Sequence, residues 1–177
     1  QLPQDTIHLV ETINDINELN FSRNDKIAYL TQTTLSIDDT QNMINELRKK
    51  FPNIESSPKE DICYATSNRQ KAIKEYADKC DAFIVVGSKN SSNSNRLVEV
   101  AKKAGCINSH LLENAESLNL SNYSSSNIIG ISSGASVPEI LVENIISKFQ
   151  KNYSLEIENV SLGEENVQFK LPKAVRN

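Results

Sequence analysis

The segment AFIVVG (82–87) is an almost continuous apolar run that leads directly into the polar stretch KNSSNSN (89–95). A strand without polar alternation is typical of a parallel sheet that helices cover on both faces. A helical stripe follows at once, formed by Leu97, Val98, Ala101 and Ala104. This order of strand, polar turn and helix predicts an α/β fold.

The same alternation recurs along the chain. Short β-rich runs predict further strands at 7–10, 26–31, 108–112, 127–132, 154–160 and 167–171. Apolar stripes predict helices over about 43–51, 65–79 and 141–149. Alternating strands and helices indicate parallel sheets with right-handed crossovers.

Two of these helices carry N-terminal capping signals. Ser36 and Ser136 are each followed three residues later by an acid, Asp39 and Glu139 respectively, as in a capping box. Pro138 is then expected in the first turn of the last helix, where a missing N–H costs nothing.

A domain boundary is predicted at PNIESSPKED (52–61), where two prolines and a run of charges interrupt the pattern. We therefore expect residues 1–58 to be the end of one α/β domain and residues 59–150 to be a complete second one. Residues 151–177 contain two β-like runs with no helix to cover them. We expect this segment to pack against a region outside this chain.

Composition excludes several classes of function. The formal net charge of -4 argues against nucleic acid or an anionic membrane as a partner. The apolar runs fall well short of the roughly 20 residues that span a bilayer. Three cysteines (Cys63, Cys80 and Cys106) at wide, unequal spacing argue against a disulfide framework and for a reducing compartment. The first residue is not Met and no signal peptide is visible, so we expect the later part of a longer protein.

Three loops carry hydroxyl and amide side chains at predicted helix starts. They are CYATSNR (63–69), KNSSNSN (89–95) and SSGASVPE (132–139), and their candidate donors are Thr66, Ser91, Ser92, Asn93 and Ser136. Each of these side chains could be an ordinary N-cap. Three such loops in one domain, one of them longer than a cap requires, favour a site for a phosphate-type anion at the helix N-termini.

Cys63 is the cysteine whose position is most informative. A lone cysteine is commonly a small buried apolar residue. A loop that opens a helix, beside proposed ligand groups, is also where a thiolate is stabilised. Cys80 and Cys106 occupy core-like positions, and His8 and His110 belong to no motif. The segment TQTT (31–34) is a further hydroxyl-rich strand end that could simply lead into a helix.

Four motifs, taken together and in this order, closely resemble the 4-hydroxy-3-methylbut-2-enyl diphosphate reductases, which complete the methylerythritol phosphate route to isoprenoids. The motifs are YLTQTTLSIDDT, DICYATSNRQ, VVGSKNSSNSNRL and SSGASVPEILVENII. The resemblance extends from about residue 7 to the end of the chain. It implies three similar small parallel α/β domains in pseudo-threefold arrangement around a [4Fe–4S] cluster, with this chain as about the latter half.

The resemblance also implies an assignment for each part of the chain. Residues 1–58 would end the middle domain, 59–150 would form the third, and 151–177 would pack on the absent first domain. Cys63 would be one of three cysteine ligands of the cluster. Thr33 would lie near the substrate hydroxyl. The diphosphate would be contacted by Ser91, Ser92, Asn93 and Ser136, with Thr66 in support.

The implied reaction is the reductive removal of an allylic hydroxyl as water, which gives isopentenyl and dimethylallyl diphosphates. Reduced ferredoxin or flavodoxin would supply the electrons. The family's other cluster cysteines, its histidines and its acidic proton-relay residue would precede residue 1, so no catalytic acid is assigned in this chain. The pathway and the AT-biased composition indicate a plastid-type organelle, similar to an apicoplast, or a bacterial cytoplasm.

Two alternatives remain open from the residues. A non-catalytic α/β module could bind a phosphorylated metabolite in the same loops, but it would have no use for a thiolate at Cys63. A sugar-phosphate isomerase would need a base beside the loops, for which Glu139 is the obvious candidate.

Overall fold

The computed structural model describes residues 6–22, 24–57 and 62–161. Five α-helices, five strands and two short 3-10 helices, Ala77–Lys79 and Leu120–Tyr123, make up its regular structure. The helices are α1 (Ile13–Glu18), α2 (Ile37–Lys50), α3 (Tyr64–Tyr76), α4 (Ser92–Lys103) and α5 (Glu139–Gln150). The strands are β1 (Ala28–Tyr29), β2 (Glu55–Ser56), β3 (Ala82–Val86), β4 (Ser109–Leu112) and β5 (Ile129–Ser133). In this part of the chain no helix has both the length and the apolar character needed to cross a membrane.

A parallel sheet in the order β4–β3–β5 organises the second half of the chain. All five residues of the central strand β3 are buried, as its continuous apolar sequence predicts. The parallel α/β class is thereby confirmed. Because all three strands point the same way, their carboxyl ends lie together at one edge.

The two faces of β3 are covered by different sets of apolar side chains. Phe83 and Val85 pack against α3 and α4, with Ile73, Ala77, Leu97, Val100, Ala101 and Cys106. Ala82, Ile84 and Val86 face the other way, towards Leu118, Tyr123, Ile145 and Phe149. Burial on both faces explains why this strand shows no apolar–polar alternation.

A second, two-stranded parallel sheet pairs β1 with β2 in the first part of the chain. The predicted strand at 26–31 is reduced to its two central residues, Ala28 and Tyr29. Its partner β2 lies inside the segment that the prolines mark as a boundary and is not predicted. A two-residue strand carries too little pattern to be detected before its partner is known.

One other strand prediction, at residues 7–10, is wrong. Residues 7–10 form no strand, and Ile7 and Leu9 are each 75% exposed. The chain turns instead into the unpredicted helix α1, because Thr12 and Asp15 form a complete capping box at its start. Residues 154–160 pair with no strand in the described structure. Because this segment is expected to pack against a region outside this chain, the strand there stays a prediction. The predicted strand at 167–171 lies outside the described residues.

The two capping predictions differ in outcome. Ser36 caps α2 as predicted, because its hydroxyl accepts a hydrogen bond from the Asp39 amide at 3.3 Å. The cap predicted at Ser136 is wrong. The N-cap of α5 is Pro138, which makes no side-chain capping bond, so Pro138 precedes the first turn and Ser136 stays in the turn before it.

Asp81 joins the start of β3 to the residues that lead into β5. Its carboxylate accepts the amide hydrogens of Asn127 at 2.8 Å and Ile128 at 3.0 Å. The Ile128 amide, followed by that of Asn127, lowers the pKa of Asp81 below its usual value. Asp81 is exposed, and its two hydrogen bonds tie the start of β3 to the residues just before β5.

We predict that Asp81→Asn flattens the acid dependence of stability in the full-length protein. A depressed folded-state pKa stabilises the protein above the unfolded-state pKa, about 3.9, and this stabilisation is lost as the pH falls through the folded-state pKa. Chemical denaturation at several acidic pH values would measure the slope. Asp78→Asn is the matched control, because it removes a nearby carboxylate that accepts no backbone amide in the described structure. Equal slopes for wild type and Asp81→Asn would contradict the assignment.

Candidate functional site

A cleft of about 520 Å³ lies at the carboxyl edge of the three-stranded sheet. Its walls come from four loops that precede or open helices. The lining residues are Thr34, Cys63, Tyr64, Ala65, Thr66, Ser91, Ser92, Asn93, Ala135 and Ser136. The structure therefore brings together every candidate site residue from the sequence except Thr33.

The loop between β3 and α4 provides the densest set of polar groups. Ser91 is the N-cap of α4, and its hydroxyl accepts a hydrogen bond from the Ser94 amide at 3.2 Å. Asn95 holds this loop together, because its Nδ2 donates to the carbonyls of Lys89 at 2.8 Å and Ser91 at 3.0 Å. The first-turn amides of α4 have no acceptor in their own helix. Amide and hydroxyl donors therefore converge at this side of the cleft.

Asn93 has an unused polar atom in the cleft wall. The residue is 7% exposed, and its Oδ1 has no hydrogen-bond partner among the described residues. A buried amide without a partner is costly. Because amide oxygen and nitrogen are assigned by their surroundings, either end of this side chain can meet a ligand. The cleft thus contains a polar group whose hydrogen bonding a bound molecule would complete.

Cys63 is held at the start of α3 by its backbone. Its amide donates to the Thr33 carbonyl at 3.1 Å, and its carbonyl accepts the amides of Thr66 and Ser67 at 2.9 Å each. The side chain makes no capping hydrogen bond and is half-buried in the cleft lining. The sulfur is therefore placed beside the polar loops and outside the apolar core.

The two threonines of TQTT occupy different places. Thr34 is half-buried and lines the cleft, whereas Thr33 is exposed and contributes its carbonyl to the Cys63 amide. The family resemblance assigned Thr33 to the neighbourhood of the substrate hydroxyl, and Thr34 was not assigned. The segment TQTT indicated a hydroxyl-rich strand end. Which of its two adjacent threonines faces the cleft depends on how the loop packs against α3.

Gln70 docks that loop onto α3. This fully buried side chain donates from Nε2 to the Leu35 carbonyl at 2.9 Å and accepts the Ile37 amide on Oε1 at 3.0 Å. Both ends of the amide thus bind backbone groups on either side of Ser36. Nothing in the sequence singled out Gln70, because its partners lie more than thirty residues away.

Ion pairs outside the cleft strengthen the same junction. Lys74 on α3 binds Asp38 at 2.6 Å, and Lys103 on α4 binds Asp39 at 3.0 Å. The hydrogen bond from Lys103 lowers the pKa of Asp39. These charges pair with one another, and none of the described cleft-lining residues is ionic. Any anion in the cleft would therefore be met by hydroxyls, amides and helix N-termini.

The two cysteines that the sequence places in core-like positions, and the alternative base candidate Glu139, lie away from the cleft. Cys106 is 2% exposed in the core between α3, α4 and β3, and Cys80 packs against it. Burial raises the pKa of the Cys80 thiol. Within the described ranges no cluster of three or more His, Cys, Asp or Glu side chains could hold a metal ion. In the cleft, Cys63 could serve as one of the three cysteine ligands that such a cluster needs. Glu139 is exposed and lies outside the cleft lining.

Fold and cleft together define a parallel α/β protein whose candidate site is built from helix-opening loops. Comparison with known proteins makes the class specific, because a family model for the LytB protein matches residues 1–150. The chain belongs to the LytB family.

Two curated relatives are both called 4-hydroxy-3-methylbut-2-enyl diphosphate reductase. The chain is 48% identical to the one from Beijerinckia indica subsp. indica and 46% identical to the one from Roseobacter denitrificans, over 99% of its own length. It spans 55% and 56% of the length of these two relatives.

Among solved structures, the chain superposes on the E-1-hydroxy-2-methyl-but-2-enyl-4-diphosphate reductase from Plasmodium falciparum. The TM-score is 0.84 at 39% identity, with 94% of this chain and 53% of that chain covered. The sequence-based recognition of this family is confirmed.

We predict that Gln70→Ala in the full-length protein loosens the loop that carries Thr33 and Thr34. Loss of both hydrogen bonds should speed amide exchange at residues 35–38 about thirtyfold, since each of the two bonds is worth about 1 kcal/mol. Hydrogen–deuterium exchange would measure this. Gln41→Ala is the matched control, because Gln41 is exposed on α2 and bonds only within that helix, to Asn45. Unchanged exchange in Gln70→Ala would show that other contacts hold the loop.

Proposed function

We propose that the protein to which this chain belongs reduces 4-hydroxy-3-methylbut-2-enyl diphosphate to isopentenyl and dimethylallyl diphosphates at a [4Fe–4S] cluster. In this proposal the chain provides the diphosphate site and one cysteine ligand. The activity is that of its named relatives. The observation that carries the proposal is that Cys63 lines the same cleft as Ser91, Ser92 and Asn93.

The polar loops would bind the diphosphate. Ser91, Ser92, Asn93 and Ser136 supply neutral donors, with Thr66, which is 2% exposed, forming part of the wall. The charge of the diphosphate does not change during the reaction. Its binding therefore positions the allylic carbon and contributes little that is specific to the transition state.

Cys63 would be one ligand of the cluster, and Thr33, bonded through its carbonyl to the Cys63 amide, would be held near the substrate hydroxyl. When bound, the cluster would pass two electrons from the donor to the substrate, where with two protons they would replace the C–OH bond by C–H and release water. Reduced ferredoxin or flavodoxin is the proposed donor.

The proposal requires groups that the described lining residues of the cleft do not provide. A cluster with three cysteine ligands needs two further thiolates, and proton delivery needs an acid. We propose that both come from the part of the protein that corresponds to the remaining length of its relatives, as the 55% coverage allows. A plastid-type organelle or a bacterial cytoplasm is the proposed compartment.

The first test of the proposal is Cys63→Ser in the full-length protein, reconstituted anaerobically with iron and sulfide. We expect this variant to lose the visible absorbance of the cluster and its bound iron, because a hydroxyl is a poor replacement for a thiolate ligand. Cys106→Ala, which changes a cysteine buried in the apolar core, should keep both. An unchanged spectrum in Cys63→Ser would favour the alternative of a non-catalytic module that binds a phosphorylated metabolite.

The second test is Ser92→Ala, which removes a hydroxyl from the first turn of α4. Loss of one hydrogen bond to a charged phosphate group should raise KM about tenfold, while kcat changes much less. Steady-state kinetics under reducing conditions would separate the two constants. Ser147→Ala, at an exposed position on α5, is the control. A fall in kcat at constant KM would contradict a role in anchoring the diphosphate.

A further inference from the structure

Ser94 lies directly beneath the cleft and is completely buried, although it is not among the lining residues. The residues that directly follow two strands lie close to its side chain. A Cβ atom added at Gly87, just after β3, or at Gly134, just after β5, would overlap the Ser94 hydroxyl oxygen. The backbones of both glycines are fixed, because the Gly87 amide donates to the Leu112 carbonyl and the Gly134 amide to the Val86 carbonyl, at 2.9 Å each.

The hydrogen bonds between Ser94 and Ser91 use all the acceptor capacity of Ser91. The Ser91 hydroxyl oxygen accepts the Ser94 amide at 3.2 Å and the Ser94 hydroxyl at 3.0 Å. A serine oxygen has two lone pairs and one hydrogen to donate. With both lone pairs engaged, the remaining function of the Ser91 hydroxyl is as a donor.

The direction of the hydroxyl–hydroxyl bond follows from burial. Within the described structure, the Ser94 hydroxyl has Ser91 Oγ as its hydrogen-bond partner. A fully buried hydroxyl must donate its hydrogen to some acceptor. Ser94 is therefore the donor and Ser91 the acceptor, which leaves the Ser91 hydrogen for a group that enters the cleft.

We propose that Ser94 is a positioning residue that fixes the Ser91 hydroxyl as a hydrogen-bond donor to the phosphate oxygens of the bound diphosphate. This inference rests on the proposed function, since it names a residue that acts on the same site from behind. An anion offers only acceptors, so a hydroxyl locked as a donor has lost its other orientations before the ligand binds.

Ordinary helix capping does not account for the Ser94 side chain. The cap requires only that the Ser94 amide donate to Ser91 Oγ, and every residue except proline retains that amide at position 94. The additional bond from the Ser94 hydroxyl contributes nothing to the cap. Ser94→Ala should therefore leave α4 and its cap intact while it removes the constraint on Ser91.

The test measures binding of inorganic pyrophosphate by calorimetry in the reconstituted full-length protein. We expect Ser94→Ala to weaken binding about fivefold and to raise KM by a similar factor, with kcat and the cluster spectrum unchanged. Ser109→Ala is the matched control, because it deletes another fully buried hydroxyl, one that donates to the Cys106 carbonyl on β4's side of the sheet. Ser109→Ala should bind pyrophosphate as wild type does, even if both variants melt at a lower temperature.

A double variant decides whether Ser94 acts through Ser91. In a Ser91→Ala background, the further change Ser94→Ala should have no additional effect on pyrophosphate binding. Wild-type binding by Ser94→Ala, or additive losses in the double variant, would overturn the role of Ser94 while the proposed function stands. Failure of the wild-type protein to bind pyrophosphate would overturn the proposed function itself, and the role of Ser94 with it.

Discussion

The site depends on one constraint, which is that β3 runs parallel to both of its neighbours and is buried on both faces. Parallel strands place their carboxyl ends at a common edge, and α4 begins there because it follows β3. The helix α3 precedes β3 and leads to the start of that strand, so the first turn of α3 lies at the same edge. Amide groups at the starts of α3 and α4 consequently face the same space without any charged side chain. Glycines at the ends of β3 and β5 let this edge close around Ser94, so the arrangement of the sheet also determines how the polar wall is packed.

A second contact brings the first part of the chain to this edge. Gln70 binds backbone groups on both sides of Ser36, and the Thr33 carbonyl accepts the Cys63 amide. Cys63 is therefore held from two directions, by its own helix and by the loop after β1. A lone cysteine at a helix start does not by itself indicate a function. In this molecule part of the environment of Cys63 comes from the loop that contains Thr33, thirty residues earlier.

The neutral character of the cleft has a consequence for the proposed reaction. Substrate and products carry the same diphosphate, so any gain in substrate binding through that group also slows product release. Hydroxyls, amides and helix N-termini bind an anion with partial charges, whereas Arg or Lys would add full ones. The nearby cations Lys74 and Lys103 instead pair with carboxylates on α2. These ionic interactions join α2 to α3 and α4 and do not contribute to the cleft lining.

The sequence by itself determined the elements with strong local signals. The apolar run of β3, the stripes of the longer helices and the polar loops at their starts follow from periodicity and capping chemistry, and the family follows from four motifs in order. Only the tertiary structure decided the two-residue strands β1 and β2, which of the TQTT threonines faces the cleft, and the contacts of Gln70 and Ser94. The reason is physical, because the significance of a buried polar side chain depends on partners that are distant in sequence and become neighbours only when the sheet and its helices have assembled.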